Sequence, residues 1–277
     1  ILVPKYGTRR VMSLAFPLVT FSTLLSIVSP SYFYFLLTSI PAGIGWGASG
    51  PIGGIHTQLI EQHFKKIITP YYAMGFNLGI LIGGGLAGII MRYNYEPYIF
   101  LTILSFLSIF ISFFVFSFGL PRNLDFKGVG EKFKIPETNV LLFGFLLFFI
   151  FGSGGIIMDW STLWLSKDLN APLYLASMGL IFFSIGGIFA NLFSNSLIKL
   201  FTEKVVGCHF VMIGASIMFL SLLTNNFYII LAVLSLYGFA IANLVPIVIR
   251  QAVKQSSESI PMTVTNLITI GLSSTMT

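Results

Sequence analysis

Residues 99–120, IFLTILSFLSIFISFFVFSFGL, contain no charged side chain and decide the fold. A helix needs about 20 consecutive apolar residues to cross the hydrocarbon core of a bilayer. A segment in lipid must also satisfy its own backbone hydrogen bonds, which favours an α-helix. Working outward from this segment, we find eight more of similar character. The nine predicted spans are residues 11–29, 31–58, 71–91, 97–120, 139–164, 172–198, 205–223, 226–249 and 260–277.

The composition of the whole chain agrees with this interpretation. Hydrophobic residues make up 56% of the chain and charged residues only 9%, and the mean hydropathy is +0.92. Soluble domains carry about 25% charged residues, so the apolar excess must face lipid. The net charge of +6 is therefore not taken as a sign of nucleic-acid binding. The single cysteine, Cys208, excludes an intramolecular disulfide. The predicted fold class is an all-α, polytopic transmembrane helix bundle.

The longest polar stretch, residues 121–138 (PRNLDFKGVGEKFKIPET), carries seven charged side chains. We interpret it as a linker between two bundles, residues 1–120 and residues 139–277. With this segmentation, thirteen of the fifteen lysines and arginines fall on the side of the N-terminus and the linker, and only Arg92 and Lys167 fall on the other. Positive side chains accumulate on the cytoplasmic side of membrane proteins. The N-terminus and the 121–138 loop are therefore predicted to be cytoplasmic.

Three short motifs lie at or near the ends of predicted spans. Residues 4–10 (PKYGTRR) are similar to the second half of a loop signature, G-x-L-x-D-R-x-G-R-R, with Pro4 in place of the aspartate. The other two motifs are residues 159–165 (DWSTLWL) and residues 243–246 (NLVP). The signature and the span order around a central linker resemble the major facilitator superfamily (MFS). The two later motifs resemble its YbjJ-like members, which are related to the fucose permease.

This resemblance implies an MFS-type architecture of two six-helix halves joined by a long cytoplasmic loop. The four spans before the linker would then be helices 3–6, and the five after it helices 7–11. We expect the chain to be a fragment that lacks helices 1, 2 and 12, since it starts at Ile1 without a methionine and stops inside an apolar segment. The resemblance also implies that Gly7, Arg9 and Arg10 form a loop motif or gate.

Asp159 is the only acidic residue inside a predicted span. Burying an ionisable group in a span costs roughly 2.5–3.5 kcal/mol, so such a residue is a functional candidate. Gly152 and Gly155 share its helix face by their spacing, and Trp160 and Trp164 lie on the adjoining face. Aromatic faces beside a polar group suit a sugar or a similar solute. The alternative is an interfacial carboxylate within an ordinary aromatic belt.

Polar residues in other spans are further candidates for the translocation path. Asn191 and Asn195 fall on one stripe with Ser184 and Gly187, which predicts that they either bind solute or hydrogen-bond another helix. Asn243 is a pore candidate, and Asn77 either lines the path or packs against a neighbouring helix. His56 and Gln58, near the predicted inner end of a span, are candidates for a gate or a proton relay, with interfacial solvation as the alternative. Arg250 is a candidate for a cytoplasmic anchor or a gate residue.

The function that we expect is secondary active transport of a small solute, such as a sugar, by alternating access. Members of the resembled group that use protons carry carboxylates in helices 1 and 4. Helix 4 has no acid before Glu61, which we place in the loop, so the coupling proton or ion stays open. We expect a monomer in the plasma (inner) membrane, with the lipid bilayer and the solute as its partners.

Other functions are less favoured by the residue pattern. A membrane-embedded lipid-modifying enzyme needs clustered His, Asp or Cys residues, and the three histidines form no such motif. A sensor or channel without transport activity is a further alternative. The chain has no G-x-x-x-x-G-K-[ST] loop and no metal-ligand spacing. We therefore expect no catalytic residue, no metal and no cofactor.

Overall fold

A computed structural model describes residues 6–119 and 136–274, and within these ranges the chain forms helices joined by short turns, without a strand. The linker predicted at residues 121–138 lies outside the described residues except for its last three. The helices before it are α1 Thr8–Ile27, α2 Tyr32–Phe64, α3 Thr69–Arg92 and α4 Pro97–Phe118. The helices after it are α5 Thr138–Lys167, α6 Leu173–Ala176, α7 Met178–Leu192, α8 Ser194–Lys204, α9 Phe210–Ser221, α10 Phe227–Ile241, α11 Leu244–Gln255 and α12 Ile260–Ser273.

Seven helical stretches within the described residues are long and apolar enough to cross a membrane. They are Thr8–Ile27, Thr69–Arg92, Pro97–Phe118, Thr138–Lys167, Leu173–Leu192, Ser194–Ser221 and Phe227–Gln255. The 33-residue helix α2 is long enough, but Pro41, Pro51 and several glycines make it less apolar. Helix α12 is apolar and shorter, with 14 residues. The predicted fold class, an all-α polytopic membrane bundle, is confirmed.

Two predicted boundaries are wrong. Residues 199–204, between the spans predicted at 172–198 and 205–223, are expected to form a loop. Helix α8 instead runs through most of them, and the backbone leaves the helical region only at Thr202, with φ 68° and ψ 156°. Glu61 was also placed in a loop and instead lies in the last turn of α2. Its Oε1 atom accepts hydrogen bonds from the backbone N–H groups of Ile68 and Thr69, both at 2.6 Å. The carboxylate therefore stabilises the start of α3, where backbone N–H groups lack helical partners.

Proline explains the break between α10 and α11. The two helices are separated by Ala242 and Asn243, and Pro246 is the third residue of α11. Proline has no N–H with which to bond the carbonyl group four residues earlier, and its ring crowds that carbonyl. The regular ladder therefore stops at Ala242. The break leaves the Asn243 side chain at the junction of two helical segments.

Polar contacts and close helix approaches hold the first half together. Helix α1 packs against both α2 and α4. The hydroxyl groups of Thr20 and Ser108 are 2.7 Å apart, and Ser105 donates to the Thr20 carbonyl at 3.2 Å. A Cβ atom added at Gly45 of α2 would lie 2.6 Å from a methyl group of Val19. Small and hydroxyl-bearing residues are the usual contacts between membrane helices.

The two halves meet mainly through helices α2 and α3 of the first half. Helix α3 packs against α6 and α7, and α2 packs against α12. One apolar core joins α2 to the second half through Ile55, Leu147, Val248 and Leu267. A second core lies within the second half and includes Leu165, Phe183, Ile230 and Leu234.

Candidate functional site

Helices α7 and α10 approach each other almost backbone to backbone. A Cβ atom added at Gly186 would overlap the carbonyl oxygen of Ser235, and one added at Gly238 would overlap that of Phe183. Only glycine allows this approach. The approach brings the polar residues of α7 close to those at the end of α10. The two glycines thus fix the position of the site described next.

Three buried polar side chains form what we call the asparagine seam: Ser184 and Asn191 of α7, and Asn243 at the α10–α11 junction. Asn191 donates through Nδ2 to the Gly187 carbonyl at 2.9 Å, and Asn243 donates to the Ala190 carbonyl at 3.0 Å. Both asparagine Oδ1 atoms and the Ser184 Oγ atom are buried without a hydrogen-bond partner among the described residues. An unpaired buried polar group costs about 1–3 kcal/mol, so these atoms are candidates for contact with a ligand.

Asn77 extends the seam into the first half. It lies on α3, and its Nδ2 atom donates to the Ala73 carbonyl of the same helix at 3.0 Å. Its amide packs against Gly187, the residue whose carbonyl Asn191 also contacts. The structure therefore brings three of the four predicted asparagines to one turn of α7. Asn195, the fourth, lies beyond Asn191 and is partly exposed.

Asp159 and Trp160 lie away from the seam. Both are exposed on α5, and no hydrogen bond joins Asp159 to the seam among the described residues. Gly152 lies on the same predicted helix face as Asp159. A Cβ atom added at Gly152 would lie 3.4 Å from the Ser274 Cβ atom. Helix packing against the end of α12 thus occupies part of this face. Trp164 is half-buried and packs against the second core.

The loop motif is described from Tyr6 onward, and its Pro4 and Lys5 lie outside the described residues. Gly7 precedes α1 with φ 83°, a left-handed conformation that favours glycine. The Arg9 guanidinium lies 4.9 Å from the centre of the Phe116 ring on α4. Arg10 is exposed. The motif therefore ties the start of α1 to the end of α4.

His56 and Gln58 lie inside a polar network at the same end of the bundle. The His56 Nδ1 atom is 3.4 Å from the hydroxyl of the buried Thr8. Gln58 is also buried and donates to the Thr69 hydroxyl at 3.0 Å, and that hydroxyl donates to Glu61 at 2.7 Å. Gln58 is therefore not solvated at the interface, as the alternative interpretation expected, but forms a hydrogen bond between α2 and the start of α3.

Arg250 of α11 is buried and pairs with a residue that the sequence did not single out. Its Nη1 atom donates to the Glu203 Oε1 atom at 2.6 Å. Gln251 donates to the other Glu203 oxygen. Sequence reasoning missed Glu203 because it falls between the spans predicted at 172–198 and 205–223, although its position among charges at the end of a span was a usable signal.

The opposite end of the bundle is closed by contacts between α3 and the α6–α7 region. The Arg92 guanidinium lies 5.9 Å from the centre of the Tyr174 ring. A Cβ atom added at Gly88 would lie 2.8 Å from the Ser177 Oγ atom. No sequence pattern pointed to these pairs, because each joins the two halves of the chain.

This bundle of long apolar helices agrees with one family model. The model of the Major Facilitator Superfamily matches residues 1–275. The chain belongs to the major facilitator superfamily. The resemblance to this superfamily, inferred from the loop signature and the span order, is thereby confirmed.

Two relatives of this MFS chain show similarity along most of its length. An uncharacterized MFS-type transporter of Yersinia pestis is 21% identical over 281 residues, which cover 98% of this chain and 70% of the relative. The membrane protein MosC of Rhizobium meliloti is 26% identical over 264 residues, which cover 92% of this chain and 62% of the relative. The chain therefore spans less than two thirds of the length of MosC.

Membership of the MFS makes this chain a multi-pass membrane protein of a transporter family, with a lipid bilayer and a small solute as its partners. Among the described residues, no group of three or more His, Cys, Asp or Glu residues is placed to hold a metal ion. The polar atoms available to a ligand are mainly amide, hydroxyl and guanidinium groups. Such groups recognise solutes by hydrogen bonding and charge.

Proposed function

We propose that this MFS chain belongs to a secondary active transporter that moves a small polar solute, such as a sugar, by alternating access. In such transporters two helix bundles move against each other around a site near the bilayer midplane. The observation that carries the proposal is the position of Asn77, which belongs to the first half and lies against Gly187 in the asparagine seam of the second half. A solute held there would contact both moving halves.

The chemistry of the seam suits a solute rich in hydroxyl groups. The unpaired Oδ1 atoms of Asn191 and Asn243 accept hydrogen bonds, and the Ser184 hydroxyl both donates and accepts. Solute hydroxyl groups would satisfy these atoms and remove the cost of leaving them unpaired. Asp159 and Trp160, exposed on α5, would belong to the entrance of the path rather than to its centre.

The ends of the bundle would act as gates. At one end, the pairs Arg92–Tyr174 and Gly88–Ser177 join the halves. At the other end, which we call the basic end, lie Arg9, Arg10, His56, Gln58 and Arg250, and α2 packs there on α12. Opening one set of contacts while the other stays closed is what alternating access requires.

The membrane and orientation are part of the same proposal. We place the protein in the plasma (inner) membrane as a monomer, with its N-terminus and the 121–138 loop in the cytoplasm. The basic end would then face the cytoplasm, as the distribution of lysine and arginine favours. A proton or another ion would couple transport to a gradient.

The test is uptake by proteoliposomes that contain the intact protein, with a panel of labelled sugars, polyols and sugar acids. Asn191→Leu and Asn243→Leu should each lower uptake of the transported solute by about tenfold or more. Each change also removes a hydrogen bond to a backbone carbonyl, which costs about 0.5–1.5 kcal/mol, so a small drop in melting temperature is expected and is measured beside uptake. Asn139→Leu, at an exposed position near the start of α5, is the matched control.

Unchanged uptake in both seam variants would exclude the seam as the solute site. Absence of uptake for the whole panel, in a protein that melts cooperatively, would contradict transport of a small polar solute.

A further inference from the structure

Arg250 is paired on one side only. Its guanidinium carries five N–H donors in a fixed fork, and one of them, on Nη1, contacts Glu203 at 2.6 Å. The second oxygen of Glu203 accepts from Gln251, and no bond from Arg250 to that oxygen is present. The Nε and Nη2 atoms of Arg250 are buried and have no partner among the described residues.

The free atoms form one complete recognition edge. Nε and Nη2 point their N–H groups in parallel, and this edge matches two oxygens of a carboxylate or phosphate group. Only 8% of Arg250 is exposed, so water does not fully compensate the missing bonds. A buried charge that lacks hydrogen-bond partners is costly. An oxyanion on the Nε–Nη2 edge would remove that cost.

The surroundings of Arg250 favour a negative ligand. Lys199 and Lys204 lie on the neighbouring α8. Glu203 is the only acidic side chain on α8 or α11. Clustered positive charge raises the local concentration of anions.

Arg250 also lies on the route suggested by the seam. It follows Asn243 by seven residues, which corresponds to roughly 10 Å along a helix. Asn243 and Arg250 both face the α7–α8 segment, since Asn243 bonds Ala190 and Arg250 bonds Glu203. A solute that moved from the seam toward the basic end would pass the free edge of Arg250.

We propose that the Nε–Nη2 edge of Arg250 binds the carboxylate or phosphate group of the transported solute, which is therefore an organic anion such as a sugar acid or a sugar phosphate. The identity of the ligand as a transported solute rests on the proposed function, whereas the anion site itself rests on Arg250 alone. The same chemistry occurs in anionic lipid headgroups, so the experiment must separate the two sources.

The experiment measures the melting temperature of the intact protein in a zwitterionic detergent at constant ionic strength. Gluconate, glucuronate and glucose 6-phosphate are titrated, with glucose as the neutral comparison. We expect saturable stabilisation by at least one of the anions. Arg250→Lys keeps the charge and the contact with Glu203 but loses the parallel edge, and it should weaken the apparent affinity by about tenfold or more. Lys254→Gln, which removes a charge one turn away, should stay within about threefold of the wild type.

A second variant separates binding from folding. Glu203→Gln removes the carboxylate next to the site, so the anion should bind several-fold more tightly even if the protein is less stable. Equal stabilisation of wild type and Arg250→Lys, no stabilisation by any of the anions, or an equal loss in Lys254→Gln would each overturn the proposal. Stabilisation found only in nanodiscs with phosphatidylglycerol, and not with soluble anions, would assign the edge to lipid and also overturn it.

Failure here is distinguishable from failure of the proposed function. Uptake of a neutral sugar without any anion binding would leave transport standing and remove the anion site. Anion binding that depends on Arg250, without uptake of any solute, would support the anion site and contradict the proposed transport function.

Discussion

The amide of Asn77, in the first half of the chain, lies directly against Gly187 in the second half. A Cβ atom added at Gly187 would lie 2.7 Å from the Asn77 Oδ1 atom and 2.8 Å from its Cγ atom. The two halves therefore touch at a point where one side contributes a polar amide and the other a bare backbone. Any relative movement of α3 and α7 must change this contact.

Gly187→Ala should destabilise the protein through this contact. The added methyl group would displace the Asn77 amide from its hydrogen bond with Ala73, and overpacking of this kind costs about 1–3 kcal/mol. Combining it with Asn77→Ala should recover most of the loss, because the displaced group is then absent. Gly83→Ala is the control, since nothing lies within 4 Å of its added Cβ atom. The measurement is the melting temperature of each variant, and additive losses in the double variant would contradict the contact.

Asp159→Asn should reduce uptake by about tenfold without lowering the melting temperature. The carboxylate is exposed and forms no ion pair within the described part of the chain, so the fold has little to lose. An ionisable residue in a span is expected to serve transport. Asp168→Asn, just after the end of α5, is the matched control. Uptake equal to that of the wild type would assign Asp159 to the membrane interface.

Thiol labelling should reveal the orientation. In a Cys208→Ser background, which removes the exposed native thiol, a membrane-impermeant reagent should label Arg92→Cys in intact cells. Lys199→Cys should react only after permeabilisation, because the basic end is predicted to be cytoplasmic. Both positions are exposed, so protein burial does not limit the reaction. The reverse pattern would refute the threading of the chain.

A cross-link should close the end of the bundle that carries Arg92. The Cβ atom added at Gly88 lies 3.9 Å from the Ser177 Cβ atom, within the range for a disulfide. Gly88→Cys with Ser177→Cys, again in the Cys208→Ser background, should form a cross-link on oxidation and lose uptake by about tenfold, with recovery on reduction. Gly79→Cys with Ser177→Cys should not cross-link, since Gly79 has no neighbour within 4 Å. Full uptake in the cross-linked protein would argue against opening at this end.

Much of the fold follows from residue patterns that act locally. Apolar length predicts the spans, because lipid demands a continuous apolar helix. The spacing of Ser184, Gly187 and Asn191 on one helix face was also readable, and all three are buried. Helix ends were harder to place, since charges do not end a helix where it leaves the membrane. For this reason the sequence pattern predicts loops at Glu61 and Glu203, whereas the structure places both residues at helix ends.

The contacts between segments that are distant along the chain could not be predicted from the sequence. Asn77 meets Gly187 across 110 positions of the chain, and neither residue type specifies the other. Among the described residues, Arg250 contacts Glu203 through Nη1 alone, and this geometry cannot be inferred from the residue types. Pro246 is visible in the sequence, but its consequence, the interruption of the helical hydrogen-bond ladder at Ala242, required the structure.

Residues Val205–His209 form a π-helical turn between α8 and α9. Such a turn accommodates an extra residue, and one residue of α-helix corresponds to about 100° of rotation. Three residues earlier, at Thr202, the backbone also leaves the helical region, with φ 68° and ψ 156°. A single helical wheel drawn through residues 194–221 would therefore assign lipid-facing and protein-facing positions of α9 incorrectly.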